Sequence, residues 1–79
     1  MERAEVYSRL ADVFRDVFDR EVALADETIA ADVPGWDSLN HSTLIGTVED
    51  EFDVKFSMKD VVGMKNVGEL VDKIIELSA

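Results

Sequence analysis

Gly35-Trp36-Asp37-Ser38-Leu39-Asn40 marks the point at which a stretch without periodicity turns into a helix. Asp37 makes a good N-cap, because its carboxylate can accept the backbone N–H two or three residues further on. Ser38 then takes the first helical position, its hydroxyl free to face solvent among N–H groups that have no partner inside the helix. Such a place suits a covalently attached phosphate, although Asp-Ser before an apolar residue is also simply how many helices begin. From Ser38 to Phe52 the only breaker is Gly46, and Leu39, Ile45, Val48 and Phe52 give the segment an apolar side. Glu49, Asp50 and Glu51 crowd its end, where negative charge opposes the helix dipole.

Working outward, Val6, Leu10, Val13, Phe14 and Val17 recur at the spacing of an amphipathic helix, which predicts a first helix over about residues 2–19. At the other end Val67, Leu70, Val71, Ile74 and Leu77 predict a helix over about 67–77, opened by the capping-box spacing of Asn66 and Glu69. Ser57 and Asp60 repeat that spacing and open a short helix through about Val62, with Gly63 placed to end it. Asp53-Val54-Lys55-Phe56 alternates but is too short for a sheet and has no partner strand. Residues 20–37 form a long connection holding the only proline, with Val22, Leu24, Ile29 and Val33 as its expected anchors to the bundle. Loops of that length are usually functional or packed by their own side chains. The pattern is an all-α, small four-helix bundle: three main helices, one short helix and a long first loop.

Composition narrows the function. A chain of 79 residues is expected to form a single domain, 1–79, and 47% hydrophobic residues at periodic positions promise a real core. Without Cys, and with one His, thiolate chemistry and a His-based metal cluster are excluded. Eighteen acidic against eight basic residues give a net charge of -10, which repels nucleic acid and anionic membranes and favours basic protein surfaces. No apolar run reaches membrane-spanning length, and no basic-then-apolar signal opens the chain. A cytoplasmic protein, monomeric, is the expectation.

Three local patterns bear on chemistry. Ser38 with His41 three residues on would share a helix face, but a hydrolase also needs an orienting group, an oxyanion hole and a dry cleft. Gly-x-Ser-x-Gly is absent, so a solvated His41 and no enzyme activity are expected. Asp26, Glu27 and Asp32 do not fit the twelve-residue frame of a calcium loop, so no dedicated metal site is expected. Trp36 is expected to pack under the loop, and Met58, Val61 and Met64 lie on or beside a helix too short to bury all of them.

The whole pattern resembles the acyl carrier proteins of the phosphopantetheine-binding superfamily. The residues that carry it are Val33-Pro34-Gly35-Trp36-Asp37-Ser38-Leu39, the acidic helix ending Val48-Glu49-Asp50-Glu51-Phe52, then Phe56-Ser57-Met58-Lys59-Asp60 and the last helix. The resemblance implies 4'-phosphopantetheine joined to Ser38 through a phosphodiester, installed from coenzyme A by a phosphopantetheinyl transferase, with an acyl group carried on its thiol as a thioester. It further implies acyl-loading and condensing enzymes as partners, reading Asp37, Leu39, Glu49, Asp50, Met58 and Val61. Asn40-His41-Ser42-Thr43 and Gly46 depart from the pattern of fatty acid synthesis, and the resemblance then points to polyketide or other natural-product biosynthesis. The competing expectation is an unmodified acidic scaffold that binds a basic protein.

Overall fold

The computed structural model describes residues 1–78. Its helices are α1 (Arg3–Phe18), α2 (Ser38–Phe52), α3 (Met58–Gly63) and α4 (Val67–Ser78), with a single 3-10 turn, Ala30–Asp32, in the first loop. No strand occurs among the described residues, so the fold is all-α as the sequence indicates. Nor is any helix among them long and apolar enough to cross a membrane.

The amphipathic stripes meet in one core. α1 packs on α2 and α4, burying Val6, Leu10, Val13 and Phe14 against Leu44, Val48, Leu70, Val71 and Ile74. Removing a Leu, Ile or Phe side chain from water contributes roughly 1.5–3 kcal/mol, so these positions dominate the stability. α1 and α2 each end on an aspartate in the left-handed region, Asp19 and Asp53, both with φ of 54°. Among non-glycine residues, Asp and Asn tolerate that conformation best.

The acidic end of α2 is braced from α1. α2 has no basic residue in its last turn. Arg9 supplies the cation instead: its Nε donates to Glu51 Oε2 at 2.9 Å, its Nη2 donates to the Glu51 carbonyl, and its guanidinium lies 4.7 Å from the Phe52 ring centroid. A carbonyl left over at the helix end and a charge opposing the dipole are thus met by one side chain. Glu49 is also occupied, accepting the Phe56 N–H at 2.8 Å. Asp50 remains exposed.

Two expectations are corrected. Leu39 does not belong to the buried side of α2: it is 76% exposed, while Leu44 is fully buried. Five residues separate them, roughly 140° around a helix with 3.6 residues per turn, so the two cannot share a face. In the loop, Val33 is buried and Val22 and Leu24 pack on the core, but Ile29 faces solvent. Its neighbour Thr28 is the buried residue; its Oγ1 accepts the Ala25 N–H at 3.0 Å and its carbonyl accepts the Val67 N–H at 2.8 Å.

Candidate functional site

Ser38 sits where the loop enters α2. Asp37, in extended conformation, caps the helix by accepting the Asn40 N–H at 2.9 Å. The Asn40 side chain donates back to the Gly35 carbonyl at 2.6 Å, and Gly35 makes the preceding turn at φ 90°, a conformation that favours glycine. Two short bonds therefore fix the chain on either side of Ser38, whose residue is exposed.

An open groove of about 650 Å³ runs beside this serine, between the loop, the start of α2 and α3. Trp36, His41, Met58, Val61 and Leu70 line it together with Ser38. Trp36 is half-buried. Its ring meets Phe14 edge-on at 5.3 Å between centroids and Phe18 at 6.0 Å, which seals the core beneath the groove. α3 buries no residue completely: Ser57 and Asp60 form the expected capping box at its start, Val61 packs partly on the core, and Lys73 of α4 reaches Asp60 at 3.4 Å. The Asp60 carboxyl is held below its ordinary value, first by the Ser57 backbone N–H and then by the Ser57 hydroxyl and Lys73.

His41 departs from the expectation of a solvated side chain. It is half-buried, stacked on Trp36, and its Nδ1 accepts the indole Nε1–H at 3.0 Å. Its Nε2 lies 3.4 Å from the Val61 carbonyl of α3. Both ring nitrogens are thereby turned to partners other than Ser38, and the serine lacks the base a nucleophile needs. Two acidic residues of the loop are likewise occupied. Asp26 binds Arg3 and Tyr7, and Asp32 accepts the Ile29 N–H.

The structure brings together Asp37, Ser38, Leu39, Met58 and Val61 at one end of the bundle, with Leu39 and Met58 among its most exposed apolar residues. Glu49 and Asp50 lie further along α2 toward its other end. Val62, 75% exposed beside Met58, belongs to the same surface and escaped the sequence reading. Its signal was the adjacent pair Val61-Val62 on a six-residue helix, which cannot bury both.

The family model for the phosphopantetheine attachment site matches residues 8–74. The chain belongs to this family. It is a carrier without catalysis of its own, and its cofactor is covalently attached 4'-phosphopantetheine. Among solved structures, the carrier is similar to a holo acyl carrier protein from Geobacter metallireducens, determined by solution NMR. The two are 37% identical, with 91% of this chain and 84% of that one covered, at a TM-score of 0.85. No curated protein matches. The residues around the groove fit the group: an exposed hydroxyl at a helix N-terminus, with an apolar trough alongside.

Proposed function

We propose that Ser38 is the attachment residue and that this chain is an acyl carrier protein. The observation that carries this reading is the exposed Ser38 at the first position of α2, beside an apolar groove and free of any neighbouring base. A dedicated transferase, acting with coenzyme A, would join the Ser38 oxygen to phosphorus; the pyrophosphate bond of coenzyme A breaks, adenosine bisphosphate leaves, and the serine proton is released. The attached group supplies a thiol that holds an acyl chain as a thioester. The chain's own part is placement: the Asp37 cap and the Gly35 turn fix the serine, and the N-terminus of α2 favours the phosphodiester by about 0.3–1 kcal/mol.

Partner enzymes would dock on the surface around Ser38, with Leu39, Met58 and Val61 as apolar contacts and Asp37, Glu49 and Asp50 as acidic ones. The pairing of Glu49 with Phe56 and of Asp37 with Asn40 favours the apolar group, joined by Val62, as the stronger contribution. The identities of Asn40 and His41 support a place in polyketide or other natural-product assembly rather than fatty acid synthesis. One continuous core among the described residues supports reading the chain as a single carrier domain; a cytoplasmic monomer completes the proposal.

Intact mass after incubation with a promiscuous phosphopantetheinyl transferase and coenzyme A tests the proposal. The wild-type protein should gain one phosphopantetheine and Ser38→Ala none. No gain, where a control carrier is loaded, would sink the reading and leave the acidic scaffold in its place.

A further inference from the structure

His41 lines the groove beside Ser38 and stands on α2 between the serine and the buried Ile45 and Val48. On α2, Ser38, His41, Ile45 and Val48 follow one another at spacings of three and four, so they lie along one side of the helix. Any chain running inward from Ser38 along α2 meets the imidazole before it reaches Ile45 or Val48. The imidazole is not free to swing aside. With Nδ1 accepting from Trp36, its proton sits on Nε2, facing the Val61 carbonyl of α3. One tautomer therefore ties the loop to α2 and α2 to α3.

The surroundings fit a bolt. Trp36 is itself wedged on Phe14 and Phe18, so the loop side of the link is rigid. α3 buries no residue completely; Val61 and the adjoining Met64 pack partly on the core, and the His41 contact and the Lys73–Asp60 pair add polar ties to the bundle. The groove reaches Leu70, whereas Leu44, Val48 and Ile74 take no part in its lining and are fully buried.

We propose that His41, held by Trp36, sets the depth to which cargo can enter: it closes the path from Ser38 to the interior, so that the carried acyl group stays in the outer groove. The cargo class that suits this carrier is then a short acyl group that needs no shelter in the core. The inference rests on Ser38 being the attachment residue. His41 is a specificity-determining residue here, acting through the link it forms between Trp36 and Val61.

The test loads the protein with butyryl- and octanoyl-phosphopantetheine from the matching coenzyme A thioesters and follows side-chain methyls by NMR. In the wild type both cargoes should shift the Met58 methyl and leave Val48 and Ile74 at their holo positions. Imidazole nitrogen spectra should place the His41 proton on Nε2. His41→Ala should let the octanoyl chain shift Val48 and Ile74 while butyryl does not, and His41→Gln, whose amide can accept from the indole and donate to Val61, should restore closure. Trp36→Phe keeps a ring but removes the donor, and should open the path even if His41→Ala does not fold. Val48 and Ile74 shifts in octanoyl-loaded wild type would overturn the proposal, as would their absence in both opened variants. Failure of the wild type to gain mass would overturn the attachment reading and this inference with it.

Discussion

The loop between α1 and α2 is held by charge and close backbone contact at its start and by aromatic rings at its finish. Near its start, Arg3 donates to Asp26 at 2.8 Å and to Asp72 of α4 at 2.6 Å, and the Tyr7 hydroxyl donates to the same Asp26. The backbone adds two bonds to α4, from Gly68 N–H to the Asp26 carbonyl at 2.9 Å and from Val67 N–H to the Thr28 carbonyl. At its finish, Trp36 lies on Phe14 and Phe18, and beyond it Ser38 and Leu39 are exposed, as are Met58 and Val62 of α3. One end spends its residues on holding the loop down. The other leaves apolar surface uncovered, which a folded domain tolerates where something else comes to cover it.

If the anchored end is as closely built as this, a single methyl group should damage it. A Cβ on Gly68 would stand 2.9 Å from the Asp26 carbonyl oxygen and 3.1 Å from its Cα, contacts with backbone that cannot rotate away. Overpacking of this kind costs about 1–3 kcal/mol, against about 1 kcal/mol returned by the better helix propensity of alanine. Gly68→Ala should therefore lower the urea midpoint. Gly46→Ala is the control, since nothing lies within 4 Å of its new Cβ, and it should raise the midpoint, the stability gaining up to about 1 kcal/mol. Equal stability of Gly68→Ala and wild type would break the contrast between the two ends.

A smaller effect sits in the same anchor and is read by pH. Partial burial, then donation to Asp26, pushes Tyr7 up to about 12 from 10.0. The folded state favours the neutral phenol, so this contribution is complete below about pH 10 and is lost as the pH rises toward 12. Asp26 runs the other way. Donation from Tyr7, then from Arg3, holds its carboxyl below 3.8, so its contribution is present above about pH 4 and is lost as the pH falls through the lowered value. Tyr7 is the only tyrosine, so a tyrosinate absorbance titration reads it alone. Its midpoint should fall back toward 10 in Asp26→Asn, and a wild-type midpoint already near 10 would show that the anchor is looser than drawn.

What the sequence made legible follows the same division. Helix periodicity and capping pairs are local, and they located α2 at Ser38–Phe52 and α4 from Val67 within a residue of its end. Asp37 as cap and Ser38 as first helical residue were equally local. Gly68 was not legible, because its constraint is a carbonyl more than forty positions away in the chain. His41 failed for the same reason: its surroundings depend on where Trp36 and Val61 arrive, which no helical spacing reveals. Leu39 misled because it is apolar, although its own offset from Leu44 already placed it on the opposite side of α2.

The smallest expected effect on stability is at the working end, and it is as telling as the largest. Met58 and Val62 are 78% and 75% exposed, and their side chains fill no part of the core. Replacing both by serine removes little burial and opens no cavity, and surface changes away from special features usually stay within ±0.5 kcal/mol. Met58→Ser with Val62→Ser should leave the urea midpoint where it is. With Ser38 as the proposed attachment residue, the initial rate of loading by a phosphopantetheinyl transferase approaching across this surface should fall, because apolar contacts that the free protein does not use are available only to a partner. A double variant that loses stability would place these residues in the fold. One that loads at the wild-type rate would show that the uncovered surface waits for a different enzyme.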